Sequence, residues 1–170
     1  MDELTGRDRS RLVRWSDPSA LTDLAGTRSG LEILRAFQQG DVAPPPICEL
    51  LRMTLVDVEP GRAVFELRPD ESMYNPLGCV QGGVVAGILD AAMGCALHST
   101  LPAGVSYTTL ELKVNFVRPV TVATGVVRAV GKLIHGGGTV TTTEARLEDS
   151  DGTLYAHATS TLMALRPRSK

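Results

Sequence analysis

Between Glu71 and Glu111 the chain carries one side chain charged at pH 7, Asp90, set inside the apolar run from Val84 to Leu97. An unpaired charge among apolar groups is costly, so such a carboxylate is either held by donors or faces a cavity where it acts. On a helix beginning near Gly82, the neighbours of Asp90 one and two turns away are Gly83, Ala86, Gly87, Met93, Gly94 and Leu97. Most are small, which leaves room for a ligand or for the close packing of another backbone. Just upstream, Gln81-Gly82-Gly83 occupies the expected helix start, where free N–H groups and the positive end of the helix dipole converge. Such an end can polarise a carbonyl and stabilise the oxyanion formed when it is attacked, a contribution of about 3–4 kcal/mol per donor. Two glycines are also simply a turn. Asn75-Pro76-Leu77-Gly78 reads as a turn as well, and its Asn75 amide could reach the same helix end to hold a water or a carbonyl oxygen.

Other chemistries find less support. His98, His135 and His157 are far apart and lack ligand spacing, and no Gly-Xaa-Ser-Xaa-Gly elbow is present. Cys48, Cys79 and Cys95 are odd in number and too dispersed for a zinc pattern, so buried free thiols are expected, with neither metal nor cofactor. A net charge of −2 gives no general attraction to nucleic acid. The polar start, Met1 to Trp15, does not read as a secretory signal, and no apolar run reaches membrane-spanning length, so a cytoplasmic protein without membrane partners is expected.

The elements that must position these groups follow from periodicity. With 170 residues, 43% of them hydrophobic and 21% charged, the chain suits one domain with a sizeable core. Residues 1–45 form an extension, polar and loosely ordered or docked by Trp15 as far as Thr27. A short amphipathic helix follows from Gly30 to Phe37, then a stiff spacer at Pro44-Pro45-Pro46. Residues 46–166 form the main domain, with a basic tail at 167–170. Leu51–Val58 and Ala63–Arg68 alternate as a hairpin about Glu59-Pro60-Gly61-Arg62. The long segment from Gly82 to about Ser99 is apolar nearly all round and predicts an enclosed helix. Four strands then follow, Tyr107–Phe116, Thr121–Leu133, Thr139–Glu148 and Leu154–Leu165. In the first of these, Leu110, Leu112, Val114 and Phe116 share one face, with Thr109, Glu111, Lys113 and Asn115 on the other. An α+β domain results, a sheet that could wrap one central helix.

Asn75, Gly82-Gly83 and Asp90, followed by Thr108-Thr109-Leu110-Glu111-Leu112 and Asn115-Phe116-Val117-Arg118-Pro119-Val120, resemble the PaaI-type acyl-CoA thioesterases of the hotdog superfamily over roughly Ile47 to Leu165. The family usually has histidine where Gln81 stands here, and glutamine can still donate a hydrogen bond. The resemblance implies a hotdog fold, a dimer and a dimer of dimers (a homotetramer), and hydrolysis of an aromatic or medium-chain acyl-CoA. By the same resemblance, Gly82 N–H polarises the thioester carbonyl and Asn75 holds the reacting groups. Asp90 of the partner subunit acts as base or nucleophile, and Thr109, or else Thr108, assists it. Gln81 and Gly83 complete the helix start. Candidates for the coenzyme A phosphates are Arg118, Arg128, Lys132, Arg146 and the basic tail, with backbone N–H groups at Gly137 and Gly138. Two other functions fit the same residues. One is a non-catalytic acyl-CoA binder or sensor; the other is a hydratase, which would need a histidine to pair with Asp90, where only His98 is in range.

Overall fold

A computed structural model describes residues 9–166, and the basic tail expected at 167–170 lies outside them. The chain begins with three short helices, α1 (Ser19–Ala25), α2 (Gly30–Gln39) and α3 (Pro46–Leu51). Only α2 is foreseen by periodicity. Its start is fixed by a capping box, in which Ser29 Oγ accepts from Glu32 N–H and Glu32 Oε2 accepts from Ser29 N–H at 2.8 Å. It stops at Gly40, whose left-handed φ of 82° ends a helix at little cost to glycine. Of the stretch expected to be docked by Trp15, the described part packs through α1 on α2, while Trp15 itself is 63% exposed. The proline spacer is also shorter than expected. Pro46 takes the first helical position of α3, where its missing N–H has no helical partner to lose.

Six strands form one antiparallel sheet in the order β1-β2-β4-β5-β6-β3: β1 (Met53–Glu59), β2 (Arg62–Leu67), β3 (Ser106–Phe116), β4 (Val127–Gly136), β5 (Val140–Glu148) and β6 (Leu154–Leu165). The strand expected from Thr121 begins later. Thr121 and Thr124 close a single 3-10 turn, Gly125 has a positive φ, and β4 starts at Val127. The helix α4 (Gly82–His98) lies across the inner face of the sheet, touching every strand. Its core side, Val85, Ile88, Leu89, Ala92 and Met93, is buried against inward residues such as Phe65, Val127, Ala129 and Leu147. The crossing is close enough that a methyl added at Gly131 of β4 would come within 2.2 Å of the Ala92 carbonyl oxygen. Among the described residues no helix is both long and apolar enough to cross a membrane.

Candidate active site

Two groups of residues converge on α4, one at its start and one at its middle. At the start, residues 73–81 fold back on themselves. Asn75 N–H donates to Cys79 C=O at 2.8 Å, Tyr74 bridges to Val80, and Gln81 N–H donates to Met73 C=O at 2.8 Å. Asn75 Oδ1 accepts from the N–H groups of Leu77 (2.9 Å) and Cys79 (3.4 Å), closing an Asx turn. Its Nδ2 donates to Cys79 Sγ at 3.3 Å, which leaves the second amide hydrogen for another acceptor. The chain enters α4 through Gln81, which is exposed and whose side chain does not cap the helix. The N–H groups of Gly82 and Gly83 therefore point out of the first turn without acceptors among the described residues. A cleft of about 360 Å³ opens beside them, lined by Asn75, Cys79, Gly82, Phe116, Arg118 and Tyr155 among others. The Phe116 ring packs directly on Gly82, leaving a Cβ there only 3.2 Å from its tip. Arg118 donates to Leu154 C=O at 2.6 Å, which holds its guanidinium beside the cleft.

At the middle of α4, Asp90 is partly buried and its Oδ1 accepts from Thr109 Oγ1 at 2.9 Å. This contact depends on a β-bulge. Opposite β6, Thr109 pairs with Leu162 and Glu111 with Thr161, so Leu110 is an extra residue. The bulge shifts the alternation, so Tyr107 and Thr109 before it and Leu112 and Val114 after it all turn inward. Leu110, expected to share a face with Leu112, is 54% exposed instead. Thr108 is exposed on the opposite face from Asp90, so Thr109 alone of the two threonines holds the acid.

The small-residue face of α4 proves divided. Packing fills part of it: a methyl at Gly94 would meet the Tyr107 hydroxyl at 2.6 Å, and Leu51 already lies against Gly87. The space at Gly83 is open. Met93 and Leu97 are buried in the core. His98, two turns past Asp90, packs at a tilt of 49° against Tyr107 with centroids 5.5 Å apart, and burial pushes its pKa down, so it is a neutral, tucked-in ring.

The structure separates the remaining candidates. From Gly82 to Asp90 the helix rises about 12 Å, so the two face different neighbourhoods within one protomer. Gly137 and Gly138 lie by the Ser106 end of β3, whereas Arg118 follows its Phe116 end, about 33 Å of strand away. Gly137 N–H already donates to Val140 C=O at 3.0 Å. Arg128 and Arg146 are engaged with Glu66 and Glu148 across the sheet surface. Cys79, expected as a buried thiol, is only partly buried and lines the cleft, as does Tyr155, which sequence reasoning did not single out. Nothing local marks Tyr155 as a cleft residue, since it arrives from β6. Among the described residues no cluster of His, Cys, Asp or Glu is placed to hold a metal ion.

A six-stranded antiparallel sheet curled over one long helix, with an acid at mid-helix and free N–H groups at its start, defines a hotdog domain equipped for carbonyl chemistry. The model of the thioesterase superfamily matches residues 77–156, which span both of these features. A candidate esterase of Saccharolobus solfataricus is 31% identical over 122 residues, 72% of this chain and 85% of that protein. A candidate thioesterase related to phenylacetic acid degradation, from Ralstonia eutropha JMP134, superposes with a TM-score of 0.69 at 29% identity, over 76% of this chain and 98% of its own. The PaaI protein of the Escherichia coli phenylacetic acid degradation operon shares the fold, with a TM-score of 0.70 at 16% identity, over 81% and 96% of the two chains. The chain belongs to the thioesterase superfamily, and the class of its chemistry is thioester hydrolysis.

Proposed function

We propose that the protein hydrolyses an acyl-CoA to free acid and CoA in a site shared between two protomers. The observation that carries this reading is the Thr109–Asp90 hydrogen bond, which holds one carboxylate oxygen and leaves the other to act. Asp90 works as general base or nucleophile. As a base it takes a proton from water while the water oxygen attacks the thioester carbon. As a nucleophile it displaces the CoA thiolate, forming an anhydride that water then cleaves. Either way, Gly82 N–H, with Gly83 and Asn75 beside it, receives the charge that develops on the carbonyl oxygen.

One thioester cannot reach an acid and an oxyanion donor about 12 Å apart on one helix, since each must be within hydrogen-bond distance. A second copy removes the difficulty. The edge strand β3 exposes Leu110 and Phe116, and antiparallel pairing of two such edges about a two-fold axis would bring Asp90 of the partner subunit toward Gly82. The same pairing would carry Gly137 and Gly138 of the partner subunit toward the Arg118 end, where coenzyme A phosphates could meet both. We accordingly propose a homodimer as the minimal active unit and a dimer of dimers as the assembly.

The test is release of CoA from phenylacetyl-, benzoyl-, short- and medium-chain acyl-CoAs by the wild type and by Asp90→Asn. Turnover lost in Asp90→Asn with the dimer intact is expected. A wild-type dimer that binds acyl-CoA and never releases CoA would refute hydrolysis and leave a binder.

A further inference from the structure

A second cavity, of about 270 Å³, lies between the N-terminal helices, α4 and the sheet, with Met53 of β1 and Phe65 of β2 in its lining. Ala91 and Cys95 of α4 and Tyr107 of β3 line one side, and Leu21 and Ala25 of α1 with Ile33 of α2 line the other. It adjoins the acid by two independent routes. Ala91 is the residue after Asp90, and Tyr107 stands two residues before Thr109 on the same inward face of β3. Its walls are almost wholly apolar, and their titratable groups stay neutral near pH 7. Burial pushes the Cys48 thiol up to about 11 and the Cys95 thiol up to about 12, raises the Tyr107 phenol and lowers His98. The Asp90 carboxylate is close enough to add to the rise at both Cys95 and Tyr107.

We propose that this cavity receives the apolar tail of a medium-chain acyl group whose thioester reacts at Asp90, and that α1 of the N-terminal extension limits the length of chain accepted. The proposal rests on the thioester-hydrolysis reading above and goes beyond it by giving the acyl pocket walls from α1 and α2, which lie outside the part of the chain that matches the family. A volume of about 270 Å³ takes about nine groups of water size at ~30 Å³ each. That corresponds to an octanoyl tail with little to spare. No charge lines the space, so a tail ending in a carboxylate or ammonium would be rejected for want of a partner.

The experiment compares kcat/KM for butyryl-, octanoyl- and dodecanoyl-CoA in the full-length wild type, Ala25→Phe and Leu21→Ala. Ala25→Phe fills the far end, so the octanoyl-to-butyryl ratio is expected to fall by at least about tenfold, the effect of roughly one methylene losing its place in an apolar pocket. Leu21→Ala enlarges the same end and is expected to raise the dodecanoyl-to-octanoyl ratio. A purely structural α1 would change all three substrates in parallel, and parallel changes in both variants would overturn the proposal. If the wild type releases CoA from none of them, the hydrolysis reading fails, and calorimetric titration with octanoate decides the cavity separately. Octanoate bound by the wild type and at least tenfold more weakly by Ala25→Phe keeps the pocket. Equal binding, or none, removes it.

Discussion

If the acid and the oxyanion donor of one working site come from different protomers, two inactive variants should repair each other. The first variant is Asp90→Asn. The second is Gly82→Pro, which deletes the N–H at the first residue of α4 and keeps the helix. Proline is tolerated at that position because its N–H has no helical acceptor. Gln81 already has φ −58° and ψ 135°, the extended conformation that a following proline requires. The added ring meets Phe116, which is 57% exposed and can move aside. Loss of one oxyanion donor lowers kcat by about 10²–10³, and loss of the acid should cost at least as much. Each variant alone is therefore close to silent. In an equal mixture with free exchange of chains, about half of the dimers are mixed, and each holds one intact site of two. The intact site takes Asp90 from the Gly82→Pro chain and Gly82 from the Asp90→Asn chain. Activity should return to about one quarter of the wild-type value per protomer. The assay is CoA release after co-refolding, with native mass spectrometry to count mixed dimers. Mixed dimers with no recovered activity would refute the shared site, because the 12 Å of helix between Gly82 and Asp90 would then have to be bridged within one chain.

Thr109→Val keeps the β-branched shape and removes the donor to Asp90 Oδ1, so kcat should fall by about tenfold to a hundredfold, the worth of a hydrogen bond to a charged group, with KM little changed; steady-state kinetics decides it. Gly131→Ala drives a methyl into the backbone of α4 at Ala92, which cannot give way as a side-chain tip would. A loss of about 1–3 kcal/mol or more is expected, read as a lower urea midpoint at unchanged m. Burial lowers the folded-state pKa of His98, so the unfolded chain binds the proton more readily than the folded one. Stability from this group is complete above the unfolded value of about 6.5 and is lost as pH falls below it toward the folded value. Thermal unfolding of His98→Gln should show less of that acid-side loss, and equal slopes in the two proteins would contradict the assignment.

Much of the candidate site was legible because it is local. Asn75, Gly82-Gly83 and Asp90 lie on one loop and one helix, so backbone geometry relates them before any tertiary contact forms. The apolar stretch from Gly82 to His98 marked the central helix by its length, and β6 was bounded correctly, from Leu154 to Leu165, by the turn residues before it. The misreadings have physical causes. The helix α1 buries none of its residues and has no side-chain cap, so it carries neither a periodic stripe nor a start signal. In α3, a proline that read as a breaker serves as the first helical residue. The bulge at Leu110 left no trace in an alternating pattern because Leu110 and Leu112 are both leucines, and only pairing with β6 decides which of them turns outward.

By itself the sequence determined the class of the domain and singled out Asp90 as the candidate acid, since an isolated carboxylate in a long apolar helix and a glycine pair at its start are properties of chain order alone. Tertiary structure decided which partners those groups have. The bulge that turns Thr109 toward Asp90, the Tyr107 ring that fills the notch at Gly94, and the cavity roofed by α1 and α2 all join segments far apart in the chain. Such contacts depend on strand register and packing distance, which a local pattern of residue types leaves undetermined.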